Sequence, residues 1–135
     1  MRRWCGSKDL SSIISASKRS LAQDITEDRL ETIFNMQKGL ATMMKLDRYP
    51  HDTEGRVSAL CTAIIHEAVE LQRTTNWKWW KTPTVFNMDD AREELIDVWH
   101  FVVQASIELG LTPDDIIKEY RNKNEINRER QRTGY

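Results

Sequence analysis

The chain has 135 residues, of which 39% are hydrophobic and 30% charged, and its formal net charge is −1. This composition is typical of a globular domain and excludes a disordered chain, while the near-neutral charge provides no basic field for nucleic acid. Five glycines and three prolines are too few for a turn-rich all-β protein. We therefore expect one domain over residues 1–135 that has no nucleic-acid partner.

The sequence indicates neither a secretory signal nor a membrane span. The first residues are basic, but no continuous apolar run follows them, and no apolar run approaches the roughly 20 residues that a transmembrane helix needs. The two cysteines form no CxxC and no disulfide framework. We expect a soluble protein without a membrane partner, located in the cytoplasm, or in the host cytoplasm if a virus or phage encodes it.

Hydrophobic periodicity predicts four long helices. Residues 1–23, rich in Ser, Lys and Arg, predict either an arm or a short additional helix. The four helices are expected over about residues 25–46, 57–74, 88–109 and 113–132, with turn-forming residues between them. Asn87 and Thr112 precede the last two helices as N-caps. Because no segment alternates like a strand, the expected fold is an all-α, four- to five-helix bundle that forms oligomers.

Two neighbouring helices each carry a pair of acids beside an apolar stripe. Glu67 and Glu70 interrupt "IIHEAVELQ", and Glu94 and Asp97 stand in "REELIDVWHF", where Glu93 is an alternative to Glu94. Residues three apart share a helix face, so antiparallel packing would bring four carboxylates together. A hard divalent cation with oxygen ligands relieves such repulsion, which predicts Mg²⁺, with Mn²⁺ as a substitute. The alternative is that the acids lie on solvated helix faces and pair with Lys or Arg.

Basic and aromatic residues form two further groups. In "NWKWWK", residues 76–81, the rings either stack on a nucleobase, with the lysines on phosphates, or plug the end of the bundle. Near the C-terminus, Lys123, Asn127 and Arg130 share a helix face, which is either solvated or a clamp for polyphosphate. His100 is interpreted as a core residue or as a residue that supports the acid site.

Four segments together resemble the all-α dUTPase family, the dimeric kind related to MazG-type nucleotide pyrophosphatases. They are "EAVEL" at 67–71, "WKWWK" at 77–81, "EELIDVWHF" at 93–101 and "KNEINRERQRTGY" at 123–135. The resemblance implies a Mg²⁺-dependent hydrolase that converts dUTP, and often dUDP, to dUMP. It also implies a homodimer or a higher homo-oligomer.

The resemblance further implies roles for individual residues. The metal would be held by Glu67, Glu70, Glu94 and Asp97, and either Glu67 or Glu70 would be the general base. Phosphates and sugar would be bound by Lys78, Lys123, Asn127, Arg130 and Tyr135. The uracil would be held by Gln37, Trp77 and Trp80.

The sequence leaves two alternative functions open. Family members usually have an asparagine shortly after the glutamine of the first helix, where this chain has Leu40 and Ala41. The substrate is therefore either dUTP or another nucleotide, such as dCTP. In a different class, the chain would be a non-enzymatic helical interaction module that tolerates changes to the acids.

Overall fold

The computed structural model describes residues 28–44 and 47–134, and these contain four α-helices and no strand. The helices are α1 (Arg29–Met43), α2 (Thr53–Arg73), α3 (Met88–Glu108) and α4 (Pro113–Thr133). The predicted all-α fold is confirmed. The expected arm or helix over residues 1–23, and residues 25–27 and 45–46 of the first predicted helix, lie outside the described residues.

Side chains that cap the N-termini decide where the helices begin. The predicted caps Asn87 and Thr112 are confirmed, and Thr112 exchanges hydrogen bonds with Asp115 in a capping box. The predicted start of the second helix near residue 57 is wrong, because the Asp52 carboxylate accepts a hydrogen bond from the Gly55 N–H at 2.7 Å. α2 therefore begins at Thr53 and includes Gly55. α1 begins at Arg29, after the cap Asp28.

The helices α2 and α3 form the central packed pair, and they run antiparallel. Near the beginning of α2, Arg56 forms an ion pair with Glu108 at the end of α3. At the opposite end of the pair, Glu70 approaches Glu94. α1 packs on α3, and α4 contacts α1 alone among the described helices. The acids of α2 and α3 consequently lie at the end of the pair where the 74–87 loop connects the two helices.

The buried core of the described residues is small. Its members are Phe34, Leu60, Ala91 and Val103, together with the polar Gln37. Many large apolar side chains stay exposed, among them Trp99 at 49% and Val102 at 41% on α3. Within the described part of the chain, the helices are too short or too polar to cross a membrane. Exposed apolar surface of this extent is typical of chains that associate with a partner.

Candidate active site

Three carboxylates converge between α2 and α3 and are named here the acid cluster: Glu67, Glu70 and Glu94. One oxygen from each lies within 4.8 Å of the others. Antiparallel packing produces this convergence, because it places the last turns of α2 beside the first turns of α3. Glu67 and Glu94 are half-buried, whereas Glu70 is exposed. The structure thus brings together three of the four acids that the sequence predicts.

The remaining predicted acid, Asp97, lies one turn along α3, outside this group of three. Its charge nevertheless acts on the cluster. The pKa of Glu94 is raised, first by desolvation and then by the neighbouring carboxylates Glu70, Asp97, Glu67 and Glu93. Of the two adjacent glutamates, Glu94 joins the acid cluster, and Glu93 lines the cleft next to it.

The donor set of the acid cluster fits a hard divalent cation. Carboxylate oxygens are the ligands that Mg²⁺ and Mn²⁺ prefer, and three of them already lie close enough to share one ion. Desolvation and, after it, the neighbouring carboxylates raise the pKa of Glu94, and a bound cation would offset both effects on its ionised form.

An open cleft of about 540 Å³ adjoins the acid cluster, and the cationic side chain of Arg73, which was not predicted from the sequence, lies in its wall. The rest of the lining is Thr74 at the end of α2, Glu70, Asp90, Glu93 and Glu94. Arg73 follows Glu70 by three residues, and this spacing already places both on one helix face. The cleft therefore offers both carboxylates and a guanidinium, the group best suited to bind phosphate oxygens.

Residues 76–84, named here the tryptophan loop, are closed by hydrogen bonds between the two ends of the loop. Asn76 donates to the Thr84 carbonyl at 2.9 Å and accepts from the Thr84 N–H at 2.8 Å. Inside the loop, the Trp80 ring stands edge-on to both Trp77 and Trp79, with centroids 5.8 and 5.5 Å away.

Lys78, predicted as a phosphate ligand, places its Nζ atom 5.1 Å from the centroid of the Trp77 ring. Its ammonium therefore makes a cation–π contact within the loop. The role of Lys78 toward phosphate stays a prediction.

The other predicted phosphate ligands lie on α4, away from the acid cluster of the same chain. Lys123, Asn127 and Arg130 are exposed, and among the described helices α4 contacts α1 but neither α2 nor α3. Tyr135 lies outside the described residues. Within one described chain, the predicted basic clamp and the acid cluster are therefore not brought together.

Gln37, predicted to hold the base, lies in the wall of a second cavity of about 310 Å³, named here the α1–α3 cavity. This cavity is lined by Gln37, His100 and the apolar side chains Ile33, Met36, Ile96, Trp99 and Val103. Neither Trp77 nor Trp80 appears among these residues. Trp99 was not among the predicted site residues, although its spacing from Ile96 and Val103 places all three on one face of α3.

A sequence profile of the dUTPase family matches residues 29–112, which is more than half of the chain, so the chain belongs to this family. The family resemblance expected from the sequence motifs is thereby confirmed.

The dCTP pyrophosphatase of Enterobacteria phage T4 is 33% identical over 78 residues, which cover 49% of this chain and 46% of the phage enzyme. The chain thus spans less than half the length of this curated relative. No solved structure matches the chain.

Proposed function

We propose that the protein hydrolyses a deoxynucleoside triphosphate, with dUTP as the first candidate, to the monophosphate and pyrophosphate. The observation that carries this proposal is the convergence of Glu67, Glu70 and Glu94 in a chain of the dUTPase family. The similarity to a phage dCTP pyrophosphatase supports the same class of reaction, and it supports dCTP as the substrate as well as the family supports dUTP. In both cases water is consumed and one phosphoanhydride bond is broken.

The residues of the chain divide this work by their positions. Glu67, Glu70 and Glu94 would hold the divalent cation, Mg²⁺ or Mn²⁺, and Asp97 would add charge from the next turn. When bound, the cation supplies positive charge that neutralises the phosphates and orients water for attack. We propose either Glu67 or Glu70 as the general base that accepts the proton of this water.

Phosphate binding needs cations near the acid cluster. Arg73 lies in the adjoining cleft of the same chain. The assignments of Lys78, Lys123, Asn127, Arg130 and Tyr135 to phosphate and sugar are proposals that rest on the sequence motif. The assignment of Gln37, Trp77 and Trp80 to the base is a proposal that rests on the sequence motif. Gln37 lines the α1–α3 cavity, whose largely apolar wall suits a base, whereas the two tryptophans do not line it.

We propose that the working molecule is a homodimer or a higher homo-oligomer. The exposed apolar side chains of α3 and the small core support this proposal, since a second copy would remove apolar surface from water. Sedimentation equilibrium at micromolar concentrations tests it. A mass equal to one chain, 15.9 kDa, across that range would contradict it.

Pyrophosphate release from each dNTP, measured separately with Mg²⁺ and with EDTA, tests the proposed reaction. We expect EDTA-sensitive turnover with a clear preference for one pyrimidine. A pocket that forms hydrogen bonds with one base rejects the other strongly, because the wrong base leaves polar groups of the pocket without a partner. Preference for dCTP would move the assignment to the activity of the phage relative. Lack of turnover on every dNTP would exclude the reaction and favour the interaction-module alternative.

A further inference from the structure

A continuous chain of hydrogen bonds joins Glu108, at the end of α3, to His100 in the wall of the α1–α3 cavity. Gln104 donates from Nε2 to Glu108 Oε1 at 3.0 Å, and Gln37 donates from Nε2 to Gln104 Oε1 at 3.0 Å. The last link joins Gln37 Oε1 to His100 Nδ1 at 2.8 Å. We name this series of hydrogen bonds the relay. Its members His100, Gln104 and Glu108 are spaced four residues apart on α3, and Gln37 belongs to α1.

The direction of the first link follows from the charge on Glu108. Burial by itself raises the pKa of Glu108, but hydrogen bonds from Arg56, Gln104 and Tyr49 outweigh burial and lower it. Arg56 and Tyr49 donate to this carboxylate at 3.1 and 3.2 Å. An ionised carboxylate only accepts hydrogen bonds, so Gln104 has to turn its amide nitrogen toward Glu108 and its oxygen toward Gln37.

The same constraint passes along the relay to the imidazole. Because Gln104 presents an oxygen, Gln37 has to present its amide nitrogen to it and its own oxygen to His100. A carbonyl oxygen only accepts, so the hydrogen in the last link belongs to Nδ1 of His100. In the neutral ring this leaves Nε2 as a bare acceptor.

The relay ends at the α1–α3 cavity. The His100 side chain is exposed and lines this cavity, and within the described ranges Nε2 has no hydrogen-bond partner. Gln37, by contrast, is only 7% exposed, and both ends of its amide are engaged in the relay. The polar atom best placed to meet a ligand in this cavity therefore belongs to His100, and Gln37 acts mainly by orienting the ring.

We propose that Glu108 sets the hydrogen-bonding polarity of the α1–α3 cavity from outside it. It does so by holding His100 in the tautomer protonated at Nδ1, which makes Nε2 an acceptor. The cavity then selects a flat ring that turns an N–H group toward His100, such as the N3–H of uracil. The identification of this ring as a nucleobase rests on the proposed function, whereas the tautomer does not.

Long-range ¹H–¹⁵N NMR spectra of the full chain with ¹⁵N-labelled histidine measure the tautomer without any nucleotide. At about pH 8, well above the usual histidine pKa, we expect His100 to show the Nδ1–H pattern, with its signals assigned by a His100→Gln variant. Gln104→Met cuts the relay and leaves the Glu108–Arg56 ion pair in place, so His100 should shift toward the Nε2–H form. Ser106→Ala is the matched control, because its hydroxyl donates to the Val102 carbonyl on the same helix and takes no part in the relay.

An Nε2–H pattern in the wild-type chain would overturn the proposal even if the Gln104 variant failed to fold. An unchanged Nδ1–H pattern in a folded Gln104→Met chain would also overturn it, since Glu108 would then not control the ring.

Titration with dUMP and with N3-methyl-dUMP tests the selected ligand. Losing one hydrogen bond between neutral groups costs about 1.4 kcal/mol of binding free energy. The methylated probe should therefore bind about tenfold more weakly to the wild-type chain. Equal binding of the two probes would refute the N–H selection. Absence of binding by both would refute uracil as the ring that this cavity selects. Hydrolysis of dCTP would then be decided by pyrophosphate release, and the measured tautomer would still decide the role of Glu108.

Discussion

Replacing Glu94 by Gln is expected to reduce metal-dependent turnover of the dNTP substrate by more than about 100-fold in kcat/KM. Loss of a residue that merely supports a metal ligand typically costs about 10- to 100-fold, and Glu94 is proposed as a ligand itself. The amide is isosteric but neutral, so the acid cluster loses one of its three converging charges. Pyrophosphate release measures the expected loss of turnover, and calorimetric titration with Mg²⁺ and Mn²⁺ measures the expected loss of metal affinity.

Glu93→Gln is the matched control, since it removes the same charge from the neighbouring position of the same helix. Glu93 lies in the adjoining cleft and not in the acid cluster, so a much smaller effect is expected. Glu67→Gln should behave like Glu94→Gln. If the Glu93 variant were the more damaging of the two neighbours, the choice of Glu94 as the ligand on α3 would be wrong.

In EDTA, the same Glu94→Gln change is expected to raise the thermal stability of the chain at neutral pH. Desolvation and the surrounding carboxylates raise the pKa of Glu94, so the folded chain binds a proton at this site more readily than the unfolded chain. The free energy of unfolding therefore falls as the pH rises through the raised folded pKa. The destabilisation caused by Glu94 disappears below the pKa that a glutamate has in the unfolded chain, about 4.3.

Melting temperatures measured across this acid-to-neutral range, with EDTA and with Mg²⁺, test the electrostatic origin of the effect. Mg²⁺ should stabilise the wild-type chain and leave Glu94→Gln nearly unchanged, because a ligand that binds only the folded state stabilises it. Glu119→Gln, which removes an exposed carboxylate from α4, should shift neither curve. A Glu94→Gln chain that melts below the wild type in EDTA at neutral pH would contradict the prediction.

Local signals in the sequence predicted the helices better in the second half of the chain than in the first. Asn87 and Thr112 are strong N-caps placed directly before apolar periodicity, and both helices begin where these residues indicate. α2 begins earlier than predicted, because the Asp52 carboxylate accepts a hydrogen bond from the Gly55 N–H and thereby caps a first turn that contains this glycine.

The candidate site was likewise predicted from the sequence only in part. The spacing of Glu67 and Glu70, and of Glu94 and Asp97, indicated two acidic helix faces from sequence alone, because residues three apart share a face. Their convergence depends on the register between α2 and α3, which long-range packing sets. That register brings Glu94 rather than Glu93 to the acid cluster and leaves Asp97 one turn away.

The sequence by itself determined the all-α class, the dUTPase family and the acidic residues, since these depend on periodicity and on short motifs. Tertiary structure alone decided that α4 of the same chain does not pack on the acids, and that Gln37 forms hydrogen bonds with Gln104 and His100. These hydrogen bonds join residues more than 60 positions apart. No local pattern encodes them, because they arise only when packed helices fix which faces meet.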